Sequence, residues 1–344
     1  MSDLTKYIPA DKKWLADNLI KDFGKPKSLG IFCKDPFDGC SIDSFGQVFV
    51  CTCDGKLPIS VGHIMDFDTL DQIWSNDIAQ QLQQTILDQK FTYCDVNNCG
   101  ILHGNNTTAD AYFKNNRKKE IFLNIDESCN LQCPSCRDSM IYIKKGQQYE
   151  NKKIWVNHFH NLLKQYADPL DLYTSGNGDP FASEIYQEFL STCHLKNNQK
   201  FNFLTNGLLL KQRIGENPYL INNTSLIMIS IDAGSKDVYE DVRRPGKWIK
   251  LIENLDYLHT LQTKHGISAQ LNFVIQRANY HDIPNFIKLA EKYKFRTHYA
   301  LLEDWRTFNG SFYQENAVHE ESNPEHQNWL RIYNMFKDKI NLAR

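Results

Sequence analysis

The chain of 344 residues lacks any apolar run of the roughly 20 residues that a membrane-spanning helix needs. Residues 1–14 are charged and polar, so the sequence predicts no secretory signal peptide. We therefore expect a cytoplasmic protein whose 10 cysteines stay reduced. Reduced cysteines favour metal binding over disulfide bonds.

The sequence also lacks an excess of either charge. Its 39 Lys and Arg residues nearly balance 41 Asp and Glu residues, for a net charge of -2. This balance argues against a nucleic-acid-binding surface, which needs a basic patch. There is no internal repeat and no low-complexity segment. A hydrophobic content of 41% and this length predict about two globular domains.

Three cysteines lie close together in one predicted loop, Cys129, Cys133 and Cys136. Thiolates are soft ligands that suit zinc or iron–sulfur clusters. Three of them could hold three irons of a [4Fe–4S] cluster and leave the fourth iron open, as expected of a catalytic site. Structural zinc and unliganded thiols are the alternatives, but zinc sites usually combine two Cys-x-x-Cys pairs.

Strand and helix patterns alternate from residue 117 to about 310. Helical patterns cover 154–166, 185–192, 248–259 and 283–293, and strand patterns cover 120–126, 170–174, 200–205, 226–231, 267–275 and 297–302. Six such units predict an α/β fold with a parallel sheet, a partial (β/α)6 barrel. Active sites of such barrels lie at the carboxyl ends of the strands, and the cysteine loop follows the first strand.

Other predicted strands also end in polar residues. The second runs into the segment 175–180, Ser-Gly-Asn-Gly-Asp-Pro, the third ends in Thr205-Asn206-Gly207, and the fourth ends at Ser230-Ile231-Asp232. We expect a helix that carries Arg243 and Arg244 to follow the fourth strand. Each of these sequences is also common in ordinary turns and caps. Together they predict a polar rim around the cysteine loop.

In this arrangement the chain resembles the radical S-adenosylmethionine (SAM) enzymes. Cys129-x3-Cys133-x2-Cys136 matches their cluster motif, and the order of elements matches over about 190 residues. The resemblance implies a [4Fe–4S] cluster held by these three cysteines, with SAM bound at the open iron. The residue before the last cysteine is usually aromatic in the family, but it is Ser135 here.

The resemblance also implies the SAM-binding residues. The motif that holds the methionine amino group corresponds to Asn177-Gly178-Asp179, in which Asp replaces the usual Glu. Ser230 falls where members contact the SAM ribose or carboxylate, and Arg243 falls where an Arg pairs with the carboxylate. Family chemistry implies reductive cleavage of SAM to a 5′-deoxyadenosyl radical that abstracts hydrogen from a substrate. An external donor such as flavodoxin or ferredoxin would supply the electron.

Residues 30–105 are similar to the SPASM or twitch-type auxiliary domain of the same superfamily. They contain Cys33-x12-Gly46-x4-Cys51 and the closing pair Cys94-x4-Cys99. The resemblance implies one auxiliary [4Fe–4S] cluster on these four cysteines. Substitute or additional ligands remain open: Cys40 or Cys53, or zinc helped by His63 or His103. Cys193 is interpreted as a buried core residue.

We therefore expect an N-terminal extension over 1–29, a SPASM-like domain over 30–105, a radical SAM partial barrel over 117–310 and a helical extension over 311–344. The expected function is radical modification of a peptide or protein side chain. A sugar or another small molecule is the alternative substrate. The non-enzymatic alternative is a binding protein stabilised by zinc or an iron–sulfur cluster. No residue that contacts the substrate can be named from the sequence.

Overall fold

The computed structural model describes residues 3–19, 31–95, 99–103, 112–113, 118–174, 177–304, 311–340 and 342. In these ranges nine strands form one sheet in the order β3-β2-β1-β4-β5-β6-β7-β8-β9. The strands are β1 Gly39–Ile42, β2 Gln47–Phe49, β3 Ser60–His63, β4 Lys119–Leu123, β5 Leu170–Thr174, β6 Gln199–Thr205, β7 Thr224–Ser230, β8 Ser268–Ile275 and β9 Arg296–Leu301.

Strands β4 to β9 are parallel, and neighbours in the sheet are also neighbours in the chain. They correspond to the six predicted strands, so the predicted parallel α/β architecture is confirmed. Strand β4, the first of the six predicted strands, ends at Leu123 and not at Asp126. The chain leaves the strand ladder there because the Ile125 amide donates to the Tyr186 hydroxyl, and the Asp126 carboxylate accepts from the Ser128 amide.

Helices connect these strands and cover their outer face. The α-helices are α1 Asp35–Asp38, α2 Gln72–Ser75, α3 Asp77–Leu87, α4 Gly100–His103, α5 Gln147–Gln165, α6 Glu184–Thr192, α7 Leu210–Glu216, α8 Tyr219–Asn223, α9 Lys236–Val242, α10 Trp248–His265, α11 Ile283–Tyr293, α12 Phe312–Asn316 and α13 His326–Phe336. Short 3-10 helices span Thr5–Tyr7, Ala10–Asn18, Ile64–Asp66 and Tyr280–Asp282. The four predicted helices correspond to α5, α6, α10 and α11.

The core lies between the sheet and these helices. Alternate residues of β8, namely Ala269, Leu271, Phe273 and Ile275, are buried, and the residues between them are half-buried. This alternation follows from the period of two along a strand. One face of β8 is therefore buried in the core, where the strand contacts α10, and the other face is half-buried.

The N-terminal cysteine module shares this sheet. Strand β1 pairs in parallel with β4, with Ser41 opposite Phe122, and β2 and β3 continue the sheet as antiparallel strands. The Trp74 indole N–H donates to the Gly39 carbonyl oxygen over 3.0 Å and ties α2 to β1. The module is thus joined to the barrel by backbone hydrogen bonds, which the sequence did not indicate.

The first residues of the chain pack on the same module. The Leu4 amide donates to the Tyr93 hydroxyl over 3.1 Å, and the Lys12 ammonium lies 3.0 Å from the Asp54 carboxylate. At the other end of the chain, α12 and α13 follow the barrel. Among the described residues, no helix combines the length and apolar character that crossing a membrane requires.

Candidate functional site

The loop that carries Cys129, Cys133 and Cys136 lies at the carboxyl end of β4. The Cys129 amide donates to the Ile141 carbonyl oxygen over 2.8 Å, which closes the loop. The amides of Cys136 and Arg137 both donate to the Cys133 carbonyl oxygen, over 2.9 and 3.0 Å. This turn brings Cys133 and Cys136 close to each other, as binding to one metal ion or cluster requires.

All three side chains are free thiols: Cys129 is half-buried, Cys133 is buried and Cys136 is exposed. Burial raises the pKa of Cys129 to about 11. Burial also raises the pKa of Cys133, and the Arg243 guanidinium opposes this shift. Binding of a metal or cluster here must therefore release protons. Soft thiol donors in one closed loop fit an iron–sulfur cluster.

The segment after β5 packs directly on the residues before Cys129. The Asp179 amide donates to the Ser128 carbonyl oxygen over 2.7 Å. A Cβ atom on Gly178 would lie 2.4 Å from the Ser128 oxygen and 2.7 Å from the Asp126 oxygen. Gly178 is therefore required by the close approach of two backbone segments. Asn177 belongs to the same segment, whereas Ser175 and Gly176 lie outside the described residues.

The Asp179 carboxylate is fully engaged inside the protein. It accepts from the Phe181 amide over 2.9 Å, the Thr205 hydroxyl over 2.8 Å and the Asn206 amide over 2.6 Å, and the residue is only 2% exposed. Burial raises its pKa, and these hydrogen bonds act in the opposite direction. Asp179 thus links the ends of β5 and β6, a role that the sequence did not reveal.

Ser230 and Arg243 lie near the carboxyl end of β7. Ser230 is the last residue of β7 and is half-buried. Arg243 and Arg244 lie just past α9, which ends at Val242, so the expectation that the helix carries them was wrong. The Arg243 guanidinium pairs with the buried Asp232 carboxylate over 2.6 Å, whereas Arg244 is exposed and pairs with Asp241. Arg243 Nε is buried without a hydrogen-bond partner.

A cavity of about 310 Å³ opens between the cysteine loop and the ends of β7, β8 and β9. It is lined by Cys133, Ser135, Cys136, Asp232, Arg243, Val274, Ala300, Leu301, Leu302 and Glu303. Asp232 was expected only as part of the polar rim, and Val274 and residues 300–303, at the end of β9 and after it, were not predicted as site residues. Their position at the carboxyl ends of parallel strands is the signal that could have indicated them.

A second group of thiols lies in the N-terminal module, at Cys33, Cys51, Cys94 and Cys99. Burial raises the pKa of Cys33, and Asp35, Cys94 and Cys99 raise it further. Burial is also the main cause that raises the pKa of Cys51 and of Cys94; Asp35, Cys53 and Cys33 add to the shift of Cys51, and Cys99 adds to that of Cys94. Electrostatic effects of this kind require proximity. Cys51 Sγ also lies 3.9 Å from Asp35 Oδ2, and Asp35 is two residues after Cys33. That the four thiols hold one auxiliary cluster stays a prediction.

The substitute ligands lie in different surroundings. Cys40 is fully buried in β1, where burial raises its pKa and Lys119 is the charged group that opposes the shift. Burial, followed by Asp54, raises the pKa of Cys53 to about 11. After burial and Asp35, Cys53 is the next cause that raises the pKa of Cys51. Cys53 is two residues from Cys51 in the chain and therefore lies next to one of the four proposed ligands.

His63 does not provide a ready zinc ligand, because both of its ring nitrogens have partners. His63 Nδ1 accepts from the Met65 amide over 3.2 Å, and Nε2 lies 2.9 Å from the Phe45 carbonyl oxygen. The His103 side chain lies outside the described residues. In the part of the chain that the structure describes, no three His, Cys, Asp or Glu side chains converge as ligands of a single metal ion. A cubane spreads its thiolate ligands over a larger space than one ion does.

Several solved structures show remote similarity to the chain. Streptococcus suis SuiB bound to S-adenosylmethionine is 13% identical, with a TM-score of 0.40 over 65% of this chain and 46% of SuiB. Histidine-tagged anSMEcpe with bound AdoMet is 15% identical, with a TM-score of 0.42 over 64% of this chain and 59% of that protein. A radical SAM methyltransferase from Sphaerobacter thermophilus is 12% identical, with a TM-score of 0.40 over 62% of each chain.

The chain spans about half the length of SuiB in the first of these structures. Because these likenesses are weak, they assign no activity to this chain. No curated protein matches it significantly. The family described as "SPASM: Iron-sulfur cluster-binding domain" matches residues 33–100. This match covers all four proposed auxiliary ligands and confirms the predicted similarity of the N-terminal cysteine module to SPASM domains.

Proposed function

We propose that the protein is a radical SAM enzyme. The observation that carries this proposal is the loop of Cys129, Cys133 and Cys136, placed at the carboxyl end of the first of six parallel barrel strands and facing a cavity. Three thiols and no fourth cysteine in the loop leave one iron of a [4Fe–4S] cluster open for SAM. Structural zinc sites, by contrast, are closed by four protein ligands.

Cys129, Cys133 and Cys136 would hold the cluster, and with SAM and an electron it would supply a 5′-deoxyadenosyl radical for hydrogen abstraction from the substrate. The residues of this chain bind and orient the reactants. Arg243, which lines the cavity, would pair with the SAM carboxylate, and Ser230, at the end of β7, would contact the ribose or carboxylate. Asn177, Gly178 and Asp179 receive the methionine amino group. The Asp179 carboxylate already accepts three hydrogen bonds inside the protein, so it would have to exchange one of them to bind the amino group.

The N-terminal module holds one auxiliary [4Fe–4S] cluster on Cys33, Cys51, Cys94 and Cys99. Full ligation by protein makes this cluster an electron relay or a structural anchor. The module lies beside the proposed active site, because the Lys56 ammonium pairs over 2.9 Å with Glu303, which lines the cavity.

The substrate that we propose is a peptide or protein side chain, as the SPASM resemblance implies. A sugar or another small molecule is the second candidate. A cytoplasmic flavodoxin or ferredoxin would deliver the electron. The SAM chemistry proposed for the cysteine loop does not depend on which substrate or electron donor the protein uses.

Anaerobic assays of the purified protein test the proposal. With dithionite and SAM, the wild-type protein should form 5′-deoxyadenosine, and a variant with Cys129, Cys133 and Cys136 all replaced by Ala should not. Cys193→Ala is the matched control, because Cys193 is buried at the end of α6, away from the site. Retained cleavage in the triple variant, or zinc in place of iron in the wild type, would refute the proposal.

A further inference from the structure

Each sulfur of the cysteine loop has its own side-chain N–H donor. The pairs are Asn206 Nδ2 with Cys129 Sγ at 3.9 Å, Arg243 Nη1 with Cys133 Sγ at 3.8 Å, and Arg137 Nε with Cys136 Sγ at 3.5 Å. The three donors come from three places in the chain: the end of β6, the residue after α9, and the loop itself. Their convergence is a property of the folded site.

We propose that Asn206, Arg243 and Arg137 set the reduction potential of the cluster held by this loop, and that Asp232 limits the effect of Arg243. This inference rests on the proposed function, because it requires a cluster on the three cysteines. Hydrogen bonds to cluster sulfurs and nearby charges are known determinants of cluster potential. A reduced cluster carries one more negative charge, so N–H donors and cations stabilise it over the oxidised form.

Asn206 is held in place by Asp179. The Asn206 backbone amide donates to Asp179 Oδ2 over 2.6 Å, and its side-chain amide also donates to Asn130 Oδ1 over 2.8 Å. The side-chain nitrogen therefore has little freedom to turn away from Cys129. Asp179 acts here as a positioning residue, through Asn206.

Arg243 is held by Asp232, which is itself fixed by backbone and side-chain contacts. The Val274 amide donates to Asp232 Oδ1 over 2.8 Å, and Asn279 Nδ2 donates to the Asp232 carbonyl oxygen over 3.0 Å. Asp232 is 3% exposed and has a φ of 53°. A buried carboxylate beside the guanidinium offsets much of its positive charge at Cys133. Removal of the Asp232 charge should therefore strengthen the effect of Arg243.

Arg137 joins the cysteine loop to the segment after β5. Its Nη1 donates to the Glu127 carbonyl oxygen over 2.6 Å, and its Nη2 donates to the Asn177 carbonyl oxygen. The planar guanidinium thereby directs Nε towards Cys136. Unlike Arg243, Arg137 has no carboxylate in an ion pair among the described residues, so its charge acts on the cluster without a counterion.

The test is an anaerobic redox titration of the full-length protein followed by electron paramagnetic resonance. The signal that changes on addition of SAM identifies the cluster of the cysteine loop. We expect a lower midpoint potential in Arg137→Gln and Arg243→Gln, and a higher one in Asp232→Asn. Arg244→Gln is the control, because Arg244 is exposed and pairs with Asp241.

Shifts of opposite sign for the arginine and Asp232 variants support the proposal. A structural role alone would not produce them, because it would lower iron content without a sign change. Unchanged midpoint potentials in variants that retain iron overturn the inference. If Arg243→Gln fails to fold, Arg137→Gln and the isosteric Asp232→Asn still decide the outcome. A wild-type protein with no SAM-responsive cluster refutes the proposed function itself.

Discussion

The backbone amide of Asp179 donates a 2.7 Å hydrogen bond to the carbonyl oxygen of Ser128. This bond joins the segment after β5 to the residue that precedes Cys129. The same segment accepts the Arg137 guanidinium through the Asn177 carbonyl oxygen. The geometry of the cysteine loop therefore depends on a neighbouring strand end as well as on the spacing of the cysteines.

Replacement of Gly178 by Ala should disturb the cysteine loop. The added Cβ would lie 2.4 Å from the Ser128 oxygen, so backbone atoms must move. We expect a loss of about 1–3 kcal/mol in the free energy of unfolding, typical of overpacking, together with lower iron content. Denaturant unfolding and iron analysis measure the two effects. Gly215→Ala in α7 is the control, because its Cβ meets nothing within 4 Å and Ala favours a helix.

Replacement of Cys51 or Cys94 by Ala should remove the auxiliary cluster. We expect the loss of about four iron atoms per chain, the content of one cubane, with the cluster of the cysteine loop retained. Conversely, the variant without Cys129, Cys133 and Cys136 should keep about four iron atoms. Cys40→Ala is the control, because Cys40 lies buried in β1 beside Lys119. Zinc in the module, or loss of iron in Cys40→Ala, would contradict the assigned ligands.

Arg243→Gln should weaken SAM binding, because the guanidinium would no longer pair with the SAM carboxylate. A charge-assisted hydrogen bond contributes about 1.5–3 kcal/mol, which corresponds to a roughly 10- to 150-fold higher Kd. Equilibrium binding to the anaerobic protein measures the change, and a melting curve verifies folding. Arg244→Gln should bind SAM as the wild type does. If Arg244→Gln loses affinity and Arg243→Gln does not, Arg244 and not Arg243 pairs with the SAM carboxylate.

His160 should make the fold less stable in acid. It is 7% exposed, its Nε2 is buried without a hydrogen-bond partner, and burial lowers its pKa. The unfolded chain then binds a proton at a higher pH than the folded protein does. Above about pH 6.5, the pKa of His in the unfolded chain, His160 is neutral in both states and does not reduce the free energy of unfolding. Below that pH the unfolded chain takes up the proton first, so the free energy of unfolding falls.

Denaturant unfolding of His160→Leu at several pH values checks this prediction. The variant should lose less stability than the wild type between pH 7 and pH 5. His265→Asn, at the exposed end of α10, is the control and should follow the wild-type profile. Equal acid sensitivity of His160→Leu and the wild type would show that other groups dominate.

The local patterns of the sequence were sufficient for the barrel. Alternating apolar residues and amphipathic repeats located all six parallel strands and four of the connecting helices, because these periods reflect burial within one element. The spacing of Cys129, Cys133 and Cys136 likewise indicated that they bind one metal ion or cluster, since residues in one short loop stay close in any fold. The first-strand end and the position of Arg243 were less well predicted, because helix and strand ends depend on contacts with other elements.

By itself the sequence determined the alternating architecture, the cysteine loop and the similarity of residues 33–100 to SPASM domains. Only the tertiary structure decided that β1 pairs with β4, that Asp232 holds Arg243, and that Asn206 reaches Cys129. Asp232 and Arg243 are 11 positions apart, whereas Asn206 and Cys129 are 77 apart and Ser41 and Phe122 are 81 apart. The two long-range contacts depend on the order of strands in the sheet, and the Asp232–Arg243 pair depends on how the chain turns after α9. Neither relationship follows from the periodic pattern of one element.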